Sequence, residues 1–275
     1  MKKFYLSTSL FLLLLHLPFT AKPWGYEGML RKGFHIGLSG SVNSTWIFNQ
    51  NNYNTLRLFV TPIVRQSEPD YLFTWGGQVG AQLGYNFHPN MGLVFEPSYS
   101  FAGQKYDDDF IGAVDAKNPS SAYYTPYGKY CNVKRTVRLQ YIHLPLQFKL
   151  QTHIGDETNF YVQLGPQVNV RSTGFEEVRI NEAIYEDTSK FTINQKFQRV
   201  EVGLALGTGV EFYVKEWFYI NMGLNSYIGL TDLNGEVLKT IDWYSKNDIQ
   251  YQKSRNFYVG LNLGLHFYLS KDWDY

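Results

Sequence analysis

A hydroxyl nucleophile needs a basic nitrogen within hydrogen-bond reach, and three residues in strand-like parts of this chain have suitable chemistry: His143, His266 and Ser226. Their spacing matches no catalytic motif, and the depths assigned below keep the two histidines apart. Both are therefore expected to pack the interior, and no catalytic residue is assigned. Charge offers a second chemistry. Glu96, Lys149, Glu211 and His266 each fall within about six residues of one end of the strands, at about 2.4 Å of height per tilted residue. Because unpaired charges are costly in a narrow interior, they are expected to form one ion-paired plug. Asp107-Asp108-Asp109 lacks the spaced ligands and distal Glu of a calcium loop and reads as a solvated acidic tip. Gly207-Thr208-Gly209 lies inside a strand rather than at a strand-to-helix turn, so it cannot cradle phosphate. No metal or cofactor is expected.

The elements that must position these side chains are eight alternating stretches: 34–48, 73–87, 91–102, 137–150, 160–170, 200–214, 218–230 and 257–269. In the clearest, Phe73, Trp75, Val79, Leu83, Tyr85 and Phe87 interleave with Thr74, Gly76, Gln78, Gly80, Gln82, Gly84 and Asn86. Successive strand side chains point to opposite faces, so one face is apolar and aromatic and the other small and hydrophilic. A soluble barrel keeps its apolar face inside. Here the opposite face carries Gln147, Lys149, Glu201, Glu211, Asn221 and Asn262, which fits a barrel whose apolar side meets lipid. In the fourth stretch the apolar phase switches between Leu139 and Ile142, which predicts a bulge near Gln140 to Tyr141. Pro97, Pro145 and Pro166 each remove a ladder donor and predict local bends.

Links between these stretches alternate. Short ones (88–90, 151–159, 215–217) separate long ones (49–72, 103–136, 171–199, 231–256). Outer-membrane barrels have short periplasmic turns and long extracellular loops, so the fold class is all-β: an eight-stranded antiparallel up-and-down transmembrane barrel. An interior of that size is just filled by side chains. The small inward series Gly203, Ala205, Gly207 and Gly209 faces Tyr219, Tyr227, Tyr258 and Tyr268, and the lumen is expected to pack shut. Lys2 and Lys3 followed by the apolar run from Leu10 to Leu17 read as a secretory signal. The organisation is then 1–21 signal peptide, 22–32 periplasmic segment, 33–270 barrel and 271–275 periplasmic tail, in the outer membrane. A net charge of +1 without a basic block gives no footprint for nucleic acid. The single cysteine, Cys131, falls in a polar link and forms no internal disulfide.

Several segments resemble the PorT-like outer-membrane β-barrel family. They are Tyr141-Ile142-His143-Leu144-Pro145-Leu146, Gly165-Pro166, Glu201-Val202-Gly203 with Gly207-Thr208-Gly209, and Tyr227-Ile228-Gly229-Leu230-Thr231-Asp232. His143 stands where that family often has an acidic residue. The resemblance implies an outer-membrane location and, for some members, work in type IX secretion and gliding machinery. A non-enzymatic structural or assembly role is expected, with a narrow passive channel and a lipid-modifying enzyme as alternatives. Partners are outer-membrane lipid and other membrane or secreted proteins, the latter met through long-loop aromatics: Tyr123, Tyr124, Tyr127, Tyr130, Trp243 and Tyr244.

Overall fold

The computed structural model describes residues 32–49, 70–112, 129–155, 157–180, 183–187, 190–239 and 253–269. Its elements in chain order are β1 (Gly33–Phe48), β2 (Asp70–Leu72), β3 (Trp75–His88), β4 (Met91–Phe95), β5 (Ser98–Gly112), β6 (Lys129–Gly155), β7 (Thr158–Ile180) and β8 (Ala183–Asp187). They continue with α1 (Lys190–Lys196), β9 (Val200–Lys215), β10 (Phe218–Gly229), α2 (Glu236–Lys239) and β11 (Arg255–Tyr268). Every sheet neighbour is antiparallel. The wall runs β1, β3, β4 with β5, β6, β7, β9, β10, β11 and back to β1, a closed ring of eight staves. The expected fold class is the observed one.

Burial inverts the pattern of a water-soluble protein. Leu38, Trp75 and Leu261 are each about 70 % exposed on the outer wall, whereas Gln82, Asn86, Lys149 and Glu211 are buried inside. An exposed apolar band around a closed sheet needs hydrocarbon as its solvent. Trp46, Phe73, Trp75 and Phe257 contact one another in a girdle at one end of this band. Trp217, Phe218 and Phe267 do so at the other, beside the short turns.

Two links expected to be long loops, 103–136 and 171–199, are strand at their ends. β5, β6 and β7 are 15, 27 and 23 residues long and continue the sheet well past the girdle. Beyond the lipid the outward residues become polar (Lys134, Arg138, Arg179), so the apolar alternation stops while the ladder continues. Cys131 and Asp107 accordingly lie on strands, paired with Phe110 and Lys134, rather than in a loop or tip. The Nζ of Lys134 is 4.0 Å from the Asp107 carboxylate.

The register irregularity expected at Gln140 to Tyr141 is present, but the extra residue is Ser172 on β7. β6 keeps odd residues inward without interruption from Arg135 to Gln151. Its pattern changes because Val137 and Leu139 pack an apolar upper core, not because its faces flip. On β7 the faces do flip: Asn169 and Arg171 point inward below the bulge and Glu176 above it. Pro97 separates β4 from β5 and Pro145 faces Gln167 in β6–β7, yet the ladder resumes in unchanged register on both sides.

Small residues make room for large ones in the lumen, as expected. Gly209 and Gly223 are paired across β9 and β10, and a Cβ on either would come within 2.9 and 2.6 Å of the Tyr161 hydroxyl. Gly209→Val is expected to cost about 1–3 kcal/mol by overpacking. A lower urea midpoint for micelle-embedded protein checks this.

Candidate functional site in the barrel interior

The periplasmic third of the lumen is a charged and aromatic plug. Lys149 on β6 and Glu211 on β9 face each other because both fall on inward positions, and Lys149 Nζ lies 2.5 Å from Glu211 Oε1. The ammonium also sits 5.7 and 5.8 Å from the ring centres of Tyr161 and Tyr219, within cation–π range. Tyr219 stacks on His266 at 4.7 Å and on Tyr213 at 5.2 Å. Its hydroxyl is 3.0 Å from Nδ1 of His35. His266 Nε2 pairs with Asn221 Oδ1 at 3.1 Å, and Asn86 donates to the Tyr268 hydroxyl at 2.9 Å.

Mid-lumen, Ser39 donates to Glu96 at 2.5 Å. Above it His143 lies parallel to Tyr258 with centroids 5.5 Å apart, and its Nε2 is 2.9 Å from Ser100 Oγ. Above the girdle, Ile47, Tyr106, Val137, Leu139 and Tyr141 meet Ile193, Phe197 and Leu233 in one apolar cluster. α1 and the 231–235 segment thus cap the mouth, joined by the Phe197–Asn234 bridge and by Gly235 N to Lys196 O at 2.8 Å. Glu176 clamps this cap, accepting from Arg135 Nε at 2.6 Å and Lys196 Nζ at 2.5 Å. Burial alone raises the Glu176 carboxyl, but the adjoining Arg135 and Lys196 charges more than reverse that and hold it below the ordinary range. Arg171 Nη2 adds bonds to Asn194 Oδ1 and Phe197 O, both 2.9 Å.

An outward apolar band, a closed eight-stave ring and a filled polar interior are the geometry of a small outer-membrane barrel. The outer membrane protein beta-barrel domain family matches residues 22–235. The chain belongs to that family. This bacterial outer-membrane barrel is also similar to solved structures at low identity. Neisserial surface protein A is 11 % identical (TM-score 0.37), the match covering 86 % of this chain and 97 % of that one. The attachment invasion locus protein Ail of Yersinia pestis is 12 % identical (TM-score 0.32), over 86 % and 99 %. OprG of Pseudomonas aeruginosa is 12 % identical (TM-score 0.34), over 88 % and 100 %. No curated protein matches the chain.

Of the four residues expected to form one charge network in this barrel, the structure pairs Lys149 with Glu211 and separates the rest. His266 is held by Asn221 and Tyr219, and Glu96 by Ser39. The single four-membered plug is therefore corrected to one ion pair set in tyrosines and histidines. His143 and His266 do not share a site: each has its own partners at its own level. Ser226 stays on the outward phase of β10. Tyr123, Tyr124, Tyr127, Trp243 and Tyr244 lie outside the described residues, and Tyr130 lies in β6 opposite Ile111. Sequence reasoning missed His35, which sits next to Phe34 on an inward position of β1, and Ser100 beside His143. It also missed the Arg135–Glu176–Lys196 clamp, whose only signal was charge on a segment taken for loop.

Proposed function

We propose that this barrel is a closed, non-enzymatic structural or assembly component of the cell surface. The observation that carries this reading is a lumen blocked twice, by the Lys149–Glu211 and tyrosine plug below and the α1 cap above. Planar-bilayer recording of purified protein is the test, with no steps above baseline expected. A stable open conductance overturns the reading in favour of the narrow channel.

The enzyme alternative has one geometric foothold, the Ser100–His143 pair. Its environment argues against catalysis. Both residues are buried, Tyr258 covers one face of the imidazole, and His143 Nδ1 has no partner to orient and polarise it. Wild-type protein, like His143→Ala, is expected to leave the masses of lipid A and phospholipid unchanged after incubation. A His143-dependent mass change reverses the assignment.

Within the family, the Tyr141 to Leu146 strand and the Tyr227 to Asp232 segment support a PorT-like member serving type IX secretion or a related surface assembly. Partners are other membrane or secreted proteins reached through the long-loop aromatics. Deleting the gene is expected to leave type IX cargo inside the cell envelope, and normal delivery removes this role.

A further inference from the structure

Glu211 has Lys149 beside it, but Glu96, 7 % exposed, has no charged partner among the described residues and accepts one hydrogen bond, from Ser39. One neutral hydrogen bond does not repay the burial of a carboxylate. Further buried oxygens lie around the cavity beside it. Glu96 borders a polar mid-lumen cavity of about 30 Å³ that is also lined by Gln78, Ser98, Asn225 and Asn262. Gln78 Oε1, Ser98 Oγ, Asn225 Oδ1 and Asn262 Oδ1 are all buried and have no hydrogen-bond partner.

The ladder makes this grouping a built feature. Gln78 on β3 and Asn262 on β11 both pair with Ser41 of β1, so they stand at one level on either side of it. Asn225 comes from β10, the next stave, and Glu96 and Ser98 come from the β4–β5 stave on the far side of β3. The five residues therefore come from four staves, and β6, β7 and β9 close the rest of the cavity with Gln147, Gln163 and Gly207. Asn225 is oriented by a relay: the Ser41 hydroxyl donates to Asn43 Oδ1 at 2.8 Å and so accepts from Asn225 Nδ2 at 3.3 Å. That fixes the Asn225 oxygen as the atom left over. Ser98, 5 % exposed, adds a hydroxyl oxygen from the opposite side.

Water satisfies lone pairs but brings no charge, and the carboxylate needs one. We propose that this cavity is a cation site, holding a small monovalent ion of the Na⁺ class on the Glu96 carboxylate and the Gln78, Asn225, Asn262 and Ser98 oxygens. All the donors are hard oxygens, which excludes softer transition metals. With a single carboxylate, a divalent ion would leave a positive charge uncompensated, and Mg²⁺ sheds its waters reluctantly. The volume admits an ion with a water or two at most.

The test is unfolding of the micelle-embedded protein at neutral pH in NaCl against equimolar choline chloride, whose cation is too large to enter. The expected result is greater stability in Na⁺, the unfolding constant falling about tenfold per tenfold rise in Na⁺ above its Kd. That dependence is lost in Glu96→Gln. Should the variant not fold, sodium-23 line broadening by the wild-type protein, absent after its denaturation, reads out the same site. Equal stability of wild type in the two salts, or no excess broadening, overturns the proposal in favour of a protonated Glu96 with water. Retention of the Na⁺ advantage in Glu96→Gln overturns the site, and displacement of Na⁺ by Ca²⁺ at far lower concentration overturns the monovalent assignment.

Discussion

Glu211→Gln is expected to cost the barrel about 3–5 kcal/mol, the range for removing one partner of a buried ion pair and leaving the other charge uncompensated. Lys149 is fully buried, and besides Glu211 its ammonium lies over the faces of Tyr161 and Tyr219. Those rings soften the loss by about 1–2 kcal/mol at most, and no water-exposed route lets the short distance be relaxed by snorkelling. The readout is the temperature at which the protein loses its compact form on semi-native electrophoresis, which should fall clearly below wild type. Lys149→Met combined with Glu211→Leu should recover most of the loss, because apolar groups of similar volume carry no desolvation penalty. A single variant as stable as wild type would mean that the pair is solvated and that the plug does not exclude water.

The ring itself was legible because lipid imposes one rule on every stave at once. Wherever a strand crosses hydrocarbon its outward residues must be apolar, and period-two alternation marks both the span and its phase. Each of the eight stretches, from Phe34–Phe48 to Phe257–Leu269, falls on its observed stave, with the inward and outward sets as expected except at Val137 and Leu139, which face inward. The same rule explains what was missed. Above the girdle both faces of β5, β6 and β7 carry polar residues, so the upper ends of these 15-, 27- and 23-residue strands looked like loops. The switch at Leu139 was visible, but sequence alone does not say whether a strand has flipped or its surroundings have changed. Here the surroundings changed on β6 while the flip fell on β7.

Sites were less legible than staves, since a lumen contact depends on stagger between strands as well as on phase. Lys149 and Glu211 were placed at a common depth from their distance to the turns, and they meet. Glu96 and His266 have similar turn distances, but Glu96 lies higher in the lumen, beyond Gly92, the ladder partner of Lys149, and each is satisfied by a nearer neutral partner, Ser39 and Asn221. The clamp on the cap lay further out of reach, because the inward aim of Glu176 exists only through the extra residue at Ser172.

That clamp sets the second large effect. With Glu176→Gln, the Arg135 guanidinium and the Lys196 ammonium are left sharing one buried site with no anion between them. The expected cost, again about 3–5 kcal/mol, falls on the docking of α1 rather than on the ring, because Glu176 lies above the girdle and Lys196 ends the helix. Local opening should therefore rise by about two to four powers of ten. Trypsin cleavage at Lys196 or Arg199 reports it, while the heat-modifiable shift of the barrel stays put. Acid should imitate the variant. The Glu176 carboxyl is depressed in the folded protein, so it binds its proton less readily there than in the opened segment. Its contribution is complete above the ordinary carboxylate pKa of about 4.3 and drains away as pH falls through the depressed value. Tyr106, over whose ring Arg135 sits at 5.3 Å, stays neutral across that window because burial raises its hydroxyl. Wild-type cleavage should thus climb towards that of Glu176→Gln as the pH drops, with the variant itself indifferent to acid. Equal cleavage of the two proteins at neutral pH would show that the apolar contacts of Ile193 and Phe197 hold the cap by themselves.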